Sequence, residues 1–88
     1  PTRLPQSKPM NYSAILLVAK PGALNAAIEQ AAQVPGVDVH QIDPKGERAV
    51  CTIEAATVDD EVRIFSSLRD LEAVFDVSLL EHRPGADE

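Results

Sequence analysis

The side chains that could do chemistry in this chain of 88 residues are one cysteine, two histidines and fourteen carboxylates. Thiolates act as nucleophiles or metal ligands, and imidazole and carboxylate groups transfer protons or bind zinc. Cys51 has no second cysteine to pair with, which excludes a CxxC motif and a disulfide framework. His40 and His82 lie on different predicted strands, and no carboxylate–histidine spacing indicates a zinc site. We interpret Cys51 as a buried structural thiol and both histidines as solvated residues, and we expect no metal and no cofactor.

Motifs for catalysis or phosphate binding are also missing from the sequence. We find no nucleophile elbow, glycine-rich phosphate loop, HExxH sequence or EF-hand pattern. Only Lys20-Pro21-Gly22 follows the first apolar run, which is too little for a basic, phosphate-cradling loop. We therefore expect that the protein is not an enzyme.

Composition narrows the class of partner. Eight basic and fourteen acidic residues give a net charge of −6, and the aromatic residues are Tyr12, Phe65 and Phe75. Nucleic acids favour basic surfaces with stacking aromatics, and anionic membranes attract basic segments. The longest apolar run, Ala14 to Ala19, is far shorter than the roughly 20 residues of a membrane helix. We expect a small soluble domain from a reducing compartment that binds neither nucleic acid nor membranes.

The chain is long enough for one domain and has polar ends. Residues 1–10 are polar and rich in proline, and they lack the apolar core of a secretory signal. Met10 is either a native start preceded by residues left from cloning or part of a native extension. We predict a disordered lead over 1–10, a domain over 11–82 and a flexible polar tail over 83–88.

Hydrophobic periodicity alternates between strand and helix patterns. The apolar run from Tyr12 to Ala19 predicts a strand buried on both faces. Residues 24–34 have helical spacing and end at a Pro-Gly pair. Two extended runs, 37–40 and 48–54, flank the turn residues Asp43-Pro44-Lys45-Gly46 and predict a hairpin.

A second helix and a fourth strand complete the pattern. Thr57 is a predicted N-cap with Asp60 at position N3. The predicted buried stripe of this helix is Val58, Val62, Phe65 and Leu68. In the last strand, residues 74–82, Asp76 and Ser78 alternate with the expected core residues Phe75, Val77 and Leu79.

The element order β-α-β-β-α-β, with a weak repeat between its halves, predicts an α+β fold, the ferredoxin-like sandwich. This fold has a four-stranded antiparallel sheet with two helices on one face. Its first and third strands are central, and these are the two most apolar strands of the chain.

Because both helices cover one face, the other face of the sheet, which we name the open face, must meet water or a partner. Strand alternation predicts its residues: Ala14, Leu16, Val18, Asp38, His40, Ile42, Val50, Thr52, Glu54, Asp76, Ser78 and Leu80. Its centre is apolar and carboxylates surround it, which is typical of an interaction surface, although scattered exposed aliphatic residues are also common. An acidic rim around an apolar strip favours a ligand that is basic at one end and apolar beyond it.

Four segments together resemble the NapD family, the cytoplasmic chaperones of periplasmic nitrate reductase. They are Tyr12 to Val18, Val34 to His40, Arg48 to Glu54 and Val77 to His82, and the resemblance spans nearly all of residues 11–82. The chain departs from the family at Ala73-Val74, where Gly-Val is frequent, and at Glu81, where tyrosine is familiar.

The resemblance implies a ferredoxin-like chaperone that binds the twin-arginine signal peptide of the catalytic subunit of the nitrate reductase. It further implies that the precursor is held back from export while its molybdenum cofactor is inserted, with the peptide partly helical on the sheet. We expect a cytoplasmic monomer whose open face binds this peptide. Two alternatives remain: an ACT-like small-molecule regulatory domain with Lys20-Pro21-Gly22 at its ligand site, and a structural subunit of a larger complex.

Overall fold

The computed structural model describes residues 10–83, so the predicted lead before Met10 and the tail after Arg83 lie outside the described residues. Six elements follow in the predicted order: β1 (Asn11–Ala19), α1 (Leu24–Ala32), β2 (Val37–Asp43), β3 (Arg48–Ala55), α2 (Val58–Arg69) and β4 (Val74–Arg83). The α+β ferredoxin-like fold is thereby confirmed. β4 includes Arg83, which the sequence analysis assigned to the polar tail.

The four strands form one antiparallel sheet in the order β2-β3-β1-β4. The two most apolar strands, β1 and β3, are central and pair from Asn11↔Ala55 to Val18↔Arg48. Both strands carry apolar side chains on each face of the sheet. Those on one face pack against the helices, and those on the other form the centre of the open face. The core between sheet and helices is centred on its five largest completely buried side chains: Ile15, Leu17, Cys51, Ile53 and Leu68.

Local signals in the sequence set the ends of the helices. Thr57 Oγ1 accepts a hydrogen bond of 3.0 Å from the backbone N of Asp60, which confirms the predicted N-cap of α2. α1 begins after Ala23 without a side-chain cap and ends with Gln33 as its C-cap, slightly before the predicted end at Val34. Pro35 and the left-handed Gly36 (φ 89°) follow directly and turn the chain into β2.

The buried face of α2 differs from the predicted stripe. Val58 and Val62 are 54% and 58% exposed, whereas Glu61 is only 5% exposed. The Glu61 carboxylate is satisfied because it accepts a 2.6 Å hydrogen bond from Ser13 Oγ and lies 2.9 Å from His82 Nε2. Hydrophobic periodicity cannot anticipate a carboxylate that is buried with its partners. His82 is exposed, as predicted for a solvated residue, and its ring also contacts Glu61 on the helix side.

Register shifts in β4 break the alternation that the sequence analysis assumed. The pairs Val18↔Asp76 and Ala19↔Val74 leave Phe75 without a partner on β1, and Phe75 is 70% exposed rather than part of the core. The pairs Ile15↔Leu79 and Ala14↔Glu81 likewise leave Leu80 unpaired. An inserted residue moves every later side chain to the opposite face, so Glu81 rather than Leu80 lies opposite Ala14.

A register shift in β2 has the same effect. The pairs Val39↔Cys51 and Gln41↔Val50 leave His40 as the extra residue. Gln41 therefore joins the open face beside Val50. Ile42, which was predicted there, is instead paired with the buried Ala49, but it is 48% exposed at the edge of the sheet and lines a cavity together with Leu16 and Val50.

Candidate functional site

The open face is built from alternate residues of all four strands, and their pairing arranges them in rows across the sheet. Successive rows are Glu54, Tyr12 and Arg83; Asp38, Thr52, Ala14 and Glu81; Gln41, Val50, Leu16 and Ser78; and Asp43, Arg48, Val18 and Asp76. His40 also belongs to this face, because its Nε2 lies 2.8 Å from Thr52 Oγ1. Leu80 lies at the register shift of the edge strand β4 and is 54% exposed.

An apolar strip runs along the two central strands of this face. Ala14, Leu16, Val18 and Val50 are all half-buried, although no helix covers them. A shallow cavity of about 250 Å³ lies beside Leu16 and Val50, with Arg48 also in its lining. Half-buried aliphatic side chains around such a cavity gain free energy when an apolar ligand removes them from water.

The rim of the strip is acidic. Two arginines of the open face are held by neighbouring carboxylates: Arg48 Nε lies 3.0 Å from Asp43 Oδ2, and Arg83 Nε lies 3.0 Å from Glu81 Oε2. The hydrogen bond from Arg48 keeps the pKa of the Asp43 carboxyl below its ordinary value. The open-face carboxylates Asp38, Glu54 and Asp76 make no ion pair within residues 10–83 and leave this surface negatively charged.

Six open-face residues were missed from the sequence: Tyr12, Gln41, Asp43, Arg48, Glu81 and Arg83. Tyr12 was considered only as a base-stacking residue, yet its hydroxyl donates a 3.4 Å hydrogen bond to Glu54 Oε2 at one end of the face. Its position in phase with Ala14 and Leu16 is a signal that could have identified it. Gln41 could not be found in this way, because the register shift of β2 is invisible in the sequence.

We find neither a metal site nor a reactive thiol among the residues that the structure describes. Between residues 10 and 83, no group of three or more histidine, cysteine or acidic residues is placed to hold a metal ion. Cys51 is completely buried, and burial raises the pKa of its thiol to about 11, which makes it a poor nucleophile. Neither α1 nor α2 is long and apolar enough to cross a membrane.

The loop that an ACT-like domain would use for its ligand is already engaged. The backbone N of Gly22 donates a 2.7 Å hydrogen bond to Glu47 Oε2 and ties this loop to the β2–β3 hairpin. A backbone amide with a charged internal acceptor is not available to a small anionic ligand. The structure therefore gives the regulatory alternative no support at this loop.

A second apolar cavity, of about 320 Å³, lies on the helix side of the sheet between α2 and β4. Val58, Val62, Phe65 and Leu79 contribute to its walls. The Glu61 carboxylate also lines it, and its two contacts, to Ser13 and His82, are internal. This cavity is separated from the open face by the sheet itself.

Comparisons with a family model and with solved structures identify the family and the fold of this chain. The family model described as NapD protein matches residues 10–83, which is most of the chain. The chain belongs to the NapD family. Family membership confirms the resemblance seen in the four strand segments and the expectation that the protein is not an enzyme.

A solved structure gives the same fold. The solution structure of the E. coli Tat proofreading chaperone protein NapD matches with a TM-score of 0.77 and 23% sequence identity, covering 84% of this chain and 78% of that chain. A search of curated protein sequences finds no match. In this NapD-family domain, the open face combines uncovered aliphatic side chains with an excess of negative charge.

Proposed function

We propose that this NapD-family protein is a chaperone that binds the twin-arginine signal peptide of the catalytic subunit of periplasmic nitrate reductase. The peptide lies on the open face, and the binding site comprises the open-face residues predicted from the sequence other than Ile42, together with Tyr12 and Gln41. Binding hides the arginine pair from the export machinery while the precursor acquires its cofactor.

One observation carries this proposal: the open face joins a half-buried aliphatic strip to carboxylates that make no ion pair among residues 10–83. Leu16, Val18 and Val50 form the strip, and these carboxylates are Asp38, Glu54 and Asp76. A signal peptide has a basic segment followed by an apolar one, which is the complementary order of charge and hydrophobicity. Family membership and the named function of the structurally similar E. coli protein point in the same direction.

The interaction has to be reversible, because the precursor must later leave for export. A dissociation constant between micromolar and nanomolar corresponds to about 8 to 12 kcal/mol and permits both capture and release. We further propose that the protein acts as a cytoplasmic monomer, since masking a single peptide needs only one open face.

Calorimetric titration with a synthetic twin-arginine signal peptide tests the proposal. We expect binding in the stated range and clearly weaker binding of a peptide in which both arginines are replaced by lysines, because guanidinium groups form bidentate contacts with carboxylates. Absence of binding to either peptide contradicts the proposed function. Gel filtration of the free protein at the same concentrations should show a monomer, and a stable dimer would contradict that part.

A further inference from the structure

Resting on the proposed function, we propose a fixed direction for the peptide: its arginine pair binds at the corner formed by Asp38, Glu54 and Tyr12, which we name the acidic corner. Its apolar segment then runs along β1 and β3 towards the cavity beside Leu16 and Val50. Tyr12 acts there as a specificity-determining residue that distinguishes arginine from lysine.

The acidic corner offers two neighbouring carboxylates without a cation. Asp38 is paired with Thr52, and Glu54 lies two residues further along β3, so the two positions are diagonal neighbours about 7–8 Å apart. Neither makes an ion pair within the described residues, and the single bond of Glu54 to Tyr12 is long at 3.4 Å. Two adjacent arginine side chains can therefore each bind one of these two carboxylates.

Asp76 is the third open-face carboxylate that makes no ion pair within the part of the chain that the structure describes, and it lies apart from the other two. It lies opposite Val18 at the far end of the sheet, about 20 Å from both Asp38 and Glu54 by strand geometry. Arg48 flanks Val18 on its other side, about 10 Å from Asp76. Because Arg48 is paired with Asp43, a pair of arginines placed at this end meets only one carboxylate without an ion pair among the described residues, against two at the acidic corner, which disfavours the reverse direction.

Tyr12 gives the acidic corner its preference for arginine. Tyr12 is 45% exposed, and its hydroxyl lies 3.4 Å from Glu54 Oε2, so its ring lies beside that carboxylate at the corner. A guanidinium stacks on an aromatic face while donating paired hydrogen bonds to a carboxylate, and an ammonium cannot match both geometries. The corner therefore combines charge attraction with a planar surface for one of the two arginines.

The length of the face matches a helical apolar segment. Glu54 and Arg48 are six positions apart on β3, so the face extends about 20 Å between them, which a helix spans with about 13 residues. Apolar segments of signal peptides are about 7–15 residues long. The cavity beside Leu16 and Val50, which Gln41, Asp43 and Arg48 also line, lies towards the far end and can receive the end of the apolar segment.

Three substitutions that each remove one negative charge from the same face test this direction. In calorimetric titrations with the twin-arginine peptide, we expect Asp38→Asn and Glu54→Gln each to weaken binding about tenfold, the loss typical of a charged hydrogen bond. The matched control Asp76→Asn should weaken binding less than about twofold, because screening by salt limits its effect at this distance. Equal losses for Asp76→Asn and Asp38→Asn would overturn the acidic corner while the proposed function stands.

Two variants test whether Tyr12 discriminates arginine from lysine. Tyr12→Phe keeps the ring and should retain most of the discrimination between the arginine and lysine peptides, whereas Tyr12→Leu should lose it. Unchanged discrimination in Tyr12→Leu would remove this role from Tyr12.

Photo-crosslinking measures the direction of the bound peptide independently of these variants. A photoreactive residue placed beside the arginine pair should attach to protein fragments that contain Asp38 or Glu54, and one at the end of the apolar segment to fragments near Leu16 or Arg48. The opposite pattern would overturn the direction alone. If the wild-type protein binds no twin-arginine peptide at all, the proposed function itself fails together with the direction.

Discussion

Ser13 Oγ donates a 2.6 Å hydrogen bond to Glu61 Oε2 and thereby joins the first strand to the second helix inside the domain. The other carboxylate oxygen of Glu61 lies 2.9 Å from Nε2 of His82, so one side chain connects β1, α2 and β4. Ser13 and Glu61 are only 6% and 5% exposed, so the loss of one partner is costly for the polar group that remains. This buried contact orients α2 against the sheet from the side opposite the open face.

Removal of the Ser13 hydroxyl should destabilise the domain. Ser13→Ala leaves a buried carboxylate without one of its donors, and we expect a loss of about 1.5–3 kcal/mol in the free energy of unfolding. Urea unfolding followed by circular dichroism measures it. Ser78→Ala, at an exposed position of β4, is the control and should change stability by less than about 0.5 kcal/mol. Equal stability of both variants would show that the Ser13 contact contributes nothing.

A charge in the apolar strip should abolish peptide binding without unfolding the protein. Leu16→Glu places a carboxylate in the middle of the open face, where an apolar segment would have to desolvate it, and we expect affinity to fall by more than about tenfold. The control Val58→Glu adds the same charge on the helix side, at an exposed first-turn position that favours acidic residues. Circular dichroism should show both variants folded. Wild-type affinity of Leu16→Glu would contradict the open face as the binding surface.

Gly36 should be intolerant of any side chain. Its φ is 89°, and a Cβ atom at this position would lie 2.7 Å from the backbone oxygen of Glu54. Gly22 has a similar φ of 76° but nothing within 4 Å of such an atom, so Gly22→Ala reports the backbone strain alone. We expect Gly22→Ala to lose about 1 kcal/mol and Gly36→Ala at least about 2 kcal/mol in thermal unfolding. Equal losses would mean that the close approach of β2 to Glu54 relaxes without penalty.

Cys51 should react with thiol reagents only when the protein unfolds. Its completely buried thiol has a pKa raised to about 11, so only about 0.1% is thiolate at pH 8, and the sulfur is also shielded from reagents. Labelling with a chromogenic disulfide should be negligible in native buffer and complete in denaturant. Because this pKa is raised on folding, stability should fall as the pH rises through the range between 9 and 11. Rapid labelling of the folded protein would contradict the burial of this side chain.

The sequence by itself determined the order of the elements, the N-cap at Thr57 and the central placement of the two apolar strands. These features depend on local capping and on hydrophobic periods within one segment, which are readable without knowledge of distant partners. Most of the open face was predictable for the same reason, because β1 and β3 pair without a register shift from Asn11↔Ala55 to Val18↔Arg48.

Only the tertiary structure decided the positions that depend on pairing between strands and helices. The extra residues His40 and Leu80 invert the alternation beyond them, which brought Gln41 and Glu81 to the open face. Glu61 became a buried residue because Ser13 approaches it from a distant part of the chain. The acidic corner arises likewise, since Tyr12, Asp38 and Glu54 come from three strands and meet only when the sheet sets their register.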